Sequence, residues 1–245
     1  MPLIVYVRDL GDGGNRPMFE VLVYRFLLAV CARGVIFNSE TTRDSWRLRL
    51  PSIVIPTAVD ERYFAAPARD RNGGVIMVGR IARWKGQAEV ISAMNALADS
   101  GFSTSLTIVG EKTFDDNVGL PEARFPVHLA GFSDPLDYLS SGELLVHAST
   151  TPEPFGQVLA QAAAVGIPIV CADRGGQTEW LTHNASCLMA DPTRVDELAS
   201  AIGEALSDRL GAEERAVEAR SKAQMFRAEV AYEPVGKWLE EVCGR

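Results

Sequence analysis

Three short segments carry residue types that could do chemistry, and each follows an apolar run. The first is Gly79-Arg80-Ile81-Ala82-Arg83-Trp84-Lys85-Gly86. Arg80 and Lys85 flank a turn, and helical spacing begins near Gly86. Cations beside the exposed N–H groups of a helix start suit a diphosphate, because the helix dipole adds to their charge. Gly79 and Gly86 allow close approach of the backbone. A solvated basic loop is the plainer reading of the same residues.

The second segment is Thr151-Pro152-Glu153-Pro154-Phe155-Gly156-Gln157-Val158-Leu159-Ala160-Gln161. Pro152 and Pro154 stiffen a loop that presents Glu153, and Gly156 then opens a helix. The N–H groups of Gly156, Gln157 and Val158 would point into the same cleft as Arg80 and Lys85. Gln161 lies one helical turn further on, where an oxygen acceptor could meet a ribose hydroxyl. The structural alternative makes Glu153 a favourable charge at a helix N-terminus and Pro154 and Phe155 loop packing. The third segment, Gly175-Gly176-Gln177-Thr178-Glu179, reads equally as a phosphate-accommodating start, a close-packing one, or a Gly-rich turn before a capped helix.

Parallel strands with helices between them would position all three. Apolar runs Val75–Val78, Leu106–Val109, Val127–Ala130, Leu144–His147, Ile167–Cys171 and Cys187–Met189 read as strands. Helical patterns cover Gln87–Ala98, Pro135–Leu139, Gly156–Val165, Val195–Leu206 and Glu213–Phe226. Buried strands alternating with helices imply a parallel sheet covered on both faces, with ligands at the strands' carboxyl ends. Residues 1–66 form a separate piece: strands Leu3–Val7, Val35–Phe37 and Ile53–Ile55, a long apolar helix Phe19–Ala32, and a cap at Asn38-Ser39. That is too little for a complete doubly wound domain, and strand Leu3–Val7 should be an unpaired sheet edge. Residues 67–233 form the main domain, and a last helix, Pro234–Val242, should cross back over the first piece.

Bulk properties narrow the class. The chain has 245 residues, enough for a substantial core, with 47% apolar and 23% charged residues, as in soluble globular proteins. A net charge of -8 argues against a nucleic-acid-coating protein. Cys31, Cys171, Cys187 and Cys243 are scattered without metal-ligand spacing and read as reduced thiols of a cytoplasmic protein, with no metal site. The most apolar stretch, Phe19–Ala32, is too short to span a bilayer, and Arg25 interrupts it. Peripheral membrane contact stays open, although no basic amphipathic helix demands it.

Taken together and in order, the three loops resemble those of the family 4 glycosyltransferases, which have the GT-B fold of two facing Rossmann-like domains. Gly79-Arg80…Lys85-Gly86 is similar to that family's basic loop, Glu153-Pro154-Phe155-Gly156 to its Glu-x7-Glu element, and Gly175-Gly176…Glu179 to its Gly-Gly…Glu turn. Ala130-Gly131-Phe132-Ser133 resembles its base-pocket loop, and Val35–Ser39 and Ile55–Phe64 the end of its N-terminal domain. The resemblance implies an α/β chain of GT-B type, with one complete Rossmann-like domain and a partial N-terminal one. It implies retaining, metal-independent transfer from a nucleotide-diphosphate sugar without a cofactor. Arg80 and Lys85 would hold the diphosphate, Glu153 the donor sugar, the backbone from Phe155 to Val158 sugar or phosphate, Gln161 the ribose, and Gly131 and Phe132 the base.

Three departures qualify it. Gln161 stands where the family has its second Glu, and an amide has one acceptor oxygen, a loss on the order of 1–2 kcal/mol. Arg8-Asp9, on the acceptor side, follows the first strand where many relatives carry a His; Arg8 cannot act as a base but could bind an anionic acceptor. The early strands of the N-terminal domain are absent, and Gly11-Asp12-Gly13-Gly14 is not the family's Gly-rich loop by position. Three readings follow: a glycosyltransferase, either shortened or completed by a partner chain; a weak or inactive nucleotide-sugar-binding regulatory subunit; or another enzyme of this fold.

Overall fold

A computed structural model describes residues 2–12, 17–66, 70–112 and 119–244. Gly13 and Gly14 of the early Gly-rich loop and Pro67 of the linker lie outside them. The first part contains β1 (Ile4–Val7), α1 (Met18–Cys31), β2 (Gly34–Phe37), α2 (Glu40–Trp46), β3 (Ser52–Val54) and a single turn, α3 (Glu61–Phe64). Its strands form a parallel sheet in the order β1-β2-β3, so among the described residues β1 pairs with β2 alone and is an edge. Ser39 caps α2 by accepting the Thr42 N–H at 2.9 Å, as its position after β2 predicts.

The second part runs β4 (Val75–Val78), a 3-10 turn (Arg83–Lys85), α4 (Gln87–Asp99), β5 (Leu106–Val109), β6 (Val127–Gly131), α5 (Pro135–Ser141), β7 (Leu144–His147) and α6 (Gln157–Val165). It continues with β8 (Ile169–Ala172), β9 (Leu188–Ala190), α7 (Val195–Ser207), α8 (Arg209–Ala223), α9 (Ala228–Ala231) and α10 (Glu233–Cys243). The six strands are all parallel, in the order β6-β5-β4-β7-β8-β9. Numbered from β4, that is 3-2-1-4-5-6, the doubly wound order. The chain reverses its direction of winding between β4 and β7, and a crevice opens there.

Apolar side chains on the two faces of this sheet build two cores. Val75, Met77, Leu144 and Val146 pack with Val90, Met94, Leu198 and Ile202 of α4 and α7. Ile76, Leu145 and Ile169 pack with Leu159, Ala163, Ala219 and Phe226 on the other side. Burial on both faces explains why β7 and β8 read as unbroken apolar runs. Strand and helix identities agree with the sequence pattern, and ends differ where caps decide them. The strand expected from Ile167 starts at Ile169: the Ile167 N–H closes α6 on Ala162 O at 3.2 Å, and Pro168 has no N–H to give. The helix expected from Glu213 starts at Arg209, because Asp208 caps the Gly211 N–H at 3.1 Å. It gives way at Gln224 to a 3-10 turn that places Phe226 in the core.

The two parts touch extensively. The Val59 N–H donates to Phe226 O at 2.8 Å, Arg220 donates to Phe64 O at 2.8 Å, and Arg227 pairs with Glu61. Trp238 and Val242 of α10 lie against Gly34, and Arg33 donates to Val242 O at 3.1 Å.

Candidate functional site at the crevice between two strands

The loops after β4 and β7 meet at the reversal point. Gly86, at φ +78°, turns the 3-10 segment into α4, and a Cβ there would lie 1.9 Å from Ala148 O. Glycine is therefore required for the two loops to meet. The Thr150 N–H donates to Trp84 O at 2.8 Å and ties them together. Arg80 is exposed at the rim, with its carbonyl held by Gln87 Nε2 at 3.0 Å. Lys85 turns inward across the Trp84 ring, 4.2 Å from its centroid, and forms an ion pair with Glu153.

Glu153 is only 8% exposed. Its Oε1 accepts from Ser149 Oγ at 2.7 Å and lies 3.3 Å from His147 Nε2, as well as meeting the Lys85 ammonium. Burial by itself pushes this carboxyl up, but contact with His147 and then the Lys85 charge outweigh it and hold the group well below the usual carboxylate range. Glu153 is thus an anion with its counter-charge built in.

Directly after it, Phe155 sends its ring into the core, edge-on to Phe226 with centroids 5.1 Å apart, so only its backbone faces the loop. Gly156, at φ +85°, leads into α6 with no side-chain cap. The amides of Gly156, Gln157 and Val158 have no acceptor among the described residues. The Gln157 side chain donates to Ala58 O at 3.3 Å. Gln161 is half-buried on α6, and its side chain makes no hydrogen bond among the described residues.

A cavity of about 740 Å³ opens after β4, β5 and β6, and of the groups described above it is Arg80 that lines it. It is lined by Gly79, Arg80, Gly110, Glu111, Phe132 and Asp134, a volume in the range of small-molecule sites. Phe132 stands 87% exposed at its edge, after the φ +65° turn at Gly131. Arg62 bridges the mouth to Asp134 at 2.5 Å. Arg8 and Asp9 follow β1 and border a separate recess of about 230 Å³.

Of the readings of Gly175-Gly176, close packing is what the structure shows. A Cβ on Gly176 would lie 2.2 Å from Pro154 O, so the two loops are in direct backbone contact there. Glu179 instead accepts from the amides of Glu40 and Thr41, at 2.9 and 2.6 Å, and caps α2 across the crevice. His147, Ser149 and Arg62 were not among the expected site residues. The signal for His147 was its place: a polar ring ending an otherwise apolar strand.

Residues 60–224 match the family described as glycosyl transferases group 1. The chain belongs to that family. It is 33% identical over 179 residues to a glycogen synthase of Mycobacterium tuberculosis, covering 69% of this chain and 43% of that protein. It is 27% identical over 153 residues to a GDP-mannose-dependent alpha-(1-6)-phosphatidylinositol monomannoside mannosyltransferase of the same species, covering 55% of this chain and 38% of the relative. The chain therefore spans less than half the length of these relatives. Among solved structures, Anabaena Alr3699/HepE in complex with UDP and glucose superposes with a TM-score of 0.84 at 24% identity, over 97% of this chain and 71% of that one. A sucrose-phosphate synthase from Thermosynechococcus elongatus gives 0.79 at 21%, over 98% and 68%. These likenesses establish the GT-B type of fold for this glycosyltransferase-family chain. No helix among the described residues is long and apolar enough to cross a membrane.

Proposed function

We propose that this chain binds a nucleotide-diphosphate sugar in the crevice and serves as the donor half of a retaining, metal-independent glycosyl transfer of the family 4 kind. The observation that carries the reading is convergence: Arg80, the Lys85–Glu153 pair and the start of α6, whose first amides have no acceptor among the described residues, all follow the carboxyl ends of the neighbouring strands β4 and β7, and Arg80 lines the adjoining cavity. Arg80 and Lys85 supply positive charge where a leaving diphosphate develops negative charge, and the start of α6 adds its dipole. Glu153 offers acceptors to sugar hydroxyls, Phe132 a face for the base, and Gln161 a single acceptor for the ribose. Arg8 and Asp9 sit on the acceptor side, and the acceptor itself is unassigned. A cytoplasmic protein with reduced thiols fits this role.

A catalytically weak or regulatory relative is the second reading. Gln161 in place of a carboxylate favours it. On either reading, a partner chain that pairs with the β1 edge is compatible with the three-stranded first sheet of the described residues. Calorimetry of the protein with UDP-glucose and GDP-mannose tests donor binding, and absence of heat with both would sink the main reading. Donor hydrolysis that disappears in Lys85→Ala and Glu153→Ala would exclude the regulatory one.

A further inference from the structure

We propose that His147 is a positioning residue that locks one oxygen of Glu153 inward and leaves the other for the donor sugar. The inference rests on the reading of the crevice as a nucleotide-sugar site.

The asymmetry of Glu153 is the starting point. Ser149 Oγ, His147 Nε2 and Lys85 Nζ all meet Oε1. Among the described residues Oε2 takes no hydrogen bond, yet it is not one of the fully enclosed, unpartnered atoms. Oε2 is therefore the oxygen with no holder among the described residues, the one left for the donor sugar. A free glutamate would rotate and present either oxygen, so a side chain that must receive a sugar hydroxyl at one point gains from being fixed.

The three holders are not equivalent. Lys85 is the cation that the crevice also offers to a diphosphate, and a lysine ammonium on four flexible carbons can turn to it. Once it turns, Ser149 and His147 alone hold Oε1. Both are built into the scaffold: Ser149 is 1% and His147 5% exposed. His147 ends β7 on the same face as Leu145, which packs in the core under α6. His147 Nδ1 is buried without a partner, so a proton on that atom would be unsatisfied. Nε2 is the ring nitrogen that faces Oε1, at 3.3 Å, and so the one placed to direct a proton towards it.

The test uses calorimetry with UDP, UDP-glucose, GDP and GDP-mannose on the wild type, His147→Leu, His147→Gln and Ser149→Ala. The wild type is expected to bind one sugar nucleotide more tightly than its bare diphosphate. His147→Leu should keep affinity for the diphosphate within about twofold and lose about tenfold for the sugar nucleotide, the worth of one hydrogen bond to a charged group. His147→Gln, whose amide can donate from a similar reach, should recover most of the loss. If His147→Leu does not fold, Ser149→Ala should show the same selective loss, smaller in size. Equal weakening for both ligands in either variant, or unchanged affinity for the sugar nucleotide, overturns the proposal. So does a wild type that binds diphosphate and sugar nucleotide alike. A wild type that binds none of the four probes refutes the reading of the crevice itself and the proposal with it, and only the wild-type measurement shows that outcome.

Discussion

Lys85 answers to two anions, the buried carboxylate of Glu153 and the diphosphate that the crevice fits. Lys85→Ala is expected to weaken binding of a nucleoside diphosphate about tenfold, measured by calorimetry, because a charge-assisted contact is lost. Wild-type affinity would take Lys85 out of the donor site. Glu153 gives a pH prediction. Its folded-state pKa lies below the ordinary value near 4.5, so its contribution to stability is complete above that value and is lost as pH falls through the folded one. Urea midpoints of the wild type should therefore drop more steeply than those of Glu153→Gln between neutrality and about pH 3. Parallel curves would show that the carboxylate is not held as described. Arg80, Lys85 and Glu153 were legible in the chain because charged residues beside glycine and proline stand out against apolar strands. His147 and Ser149 were not, since a polar residue at a buried strand end looks like core until its partner is known.

The elements that carry these residues were legible for a different reason. A parallel sheet covered on both faces leaves unbroken apolar runs, and β4, β5 and β7 have the bounds that those runs predict. Helix ends were less legible where a side-chain cap sets them, as Asp208 does at the start of α8, whereas Gly166 marked the end of α6 in the chain itself. The junction of the first two loops is the most sensitive place in this layer. Gly86→Ala forces a Cβ onto Ala148 O at positive φ, and a cost of about 1–3 kcal/mol together with weakened donor binding is expected. Thermal melts and calorimetry on the same sample measure both. Phe226, 1% exposed and edge-on to both Phe155 and Trp180, pins the Glu153 loop from below. Phe226→Ala should cost about 3–5 kcal/mol in urea unfolding, and a loss under 1 kcal/mol would mean that the site's floor lies elsewhere.

At the scale of the molecule, the two sheets are coupled by side chains that reach across the crevice. Ser39 and Thr42 donate to Pro154 O, and Glu179 caps α2. These contacts bind the α2 end to the loop that carries Glu153. The far side of the first part is different: Phe19, Leu22, Phe26 and Val30 are exposed along α1, in the same part as β1, which pairs on one side alone among the described residues. Exposed apolar helix faces and sheet edges both promote association. Replacing Phe19 and Phe26 by Lys should raise the monomer fraction in sedimentation at high concentration, and an unchanged distribution would show that this face does not drive self-association.

The sequence by itself determined the class of fold, the order of the strands along the chain and the identity of the basic and acidic loops, because these depend on periodicity and on residues close in the chain. Only the tertiary structure decided which loops meet. Strand order 3-2-1-4-5-6 brings residue 85 to residue 153, and the Glu179 turn became an inter-sheet cap because Gly176 packs on Pro154. The three groups that meet a single carboxylate oxygen likewise come from the loop after β4 and from the end of β7 with its loop, far apart in the chain. Their convergence follows from long-range packing, which no local pattern encodes.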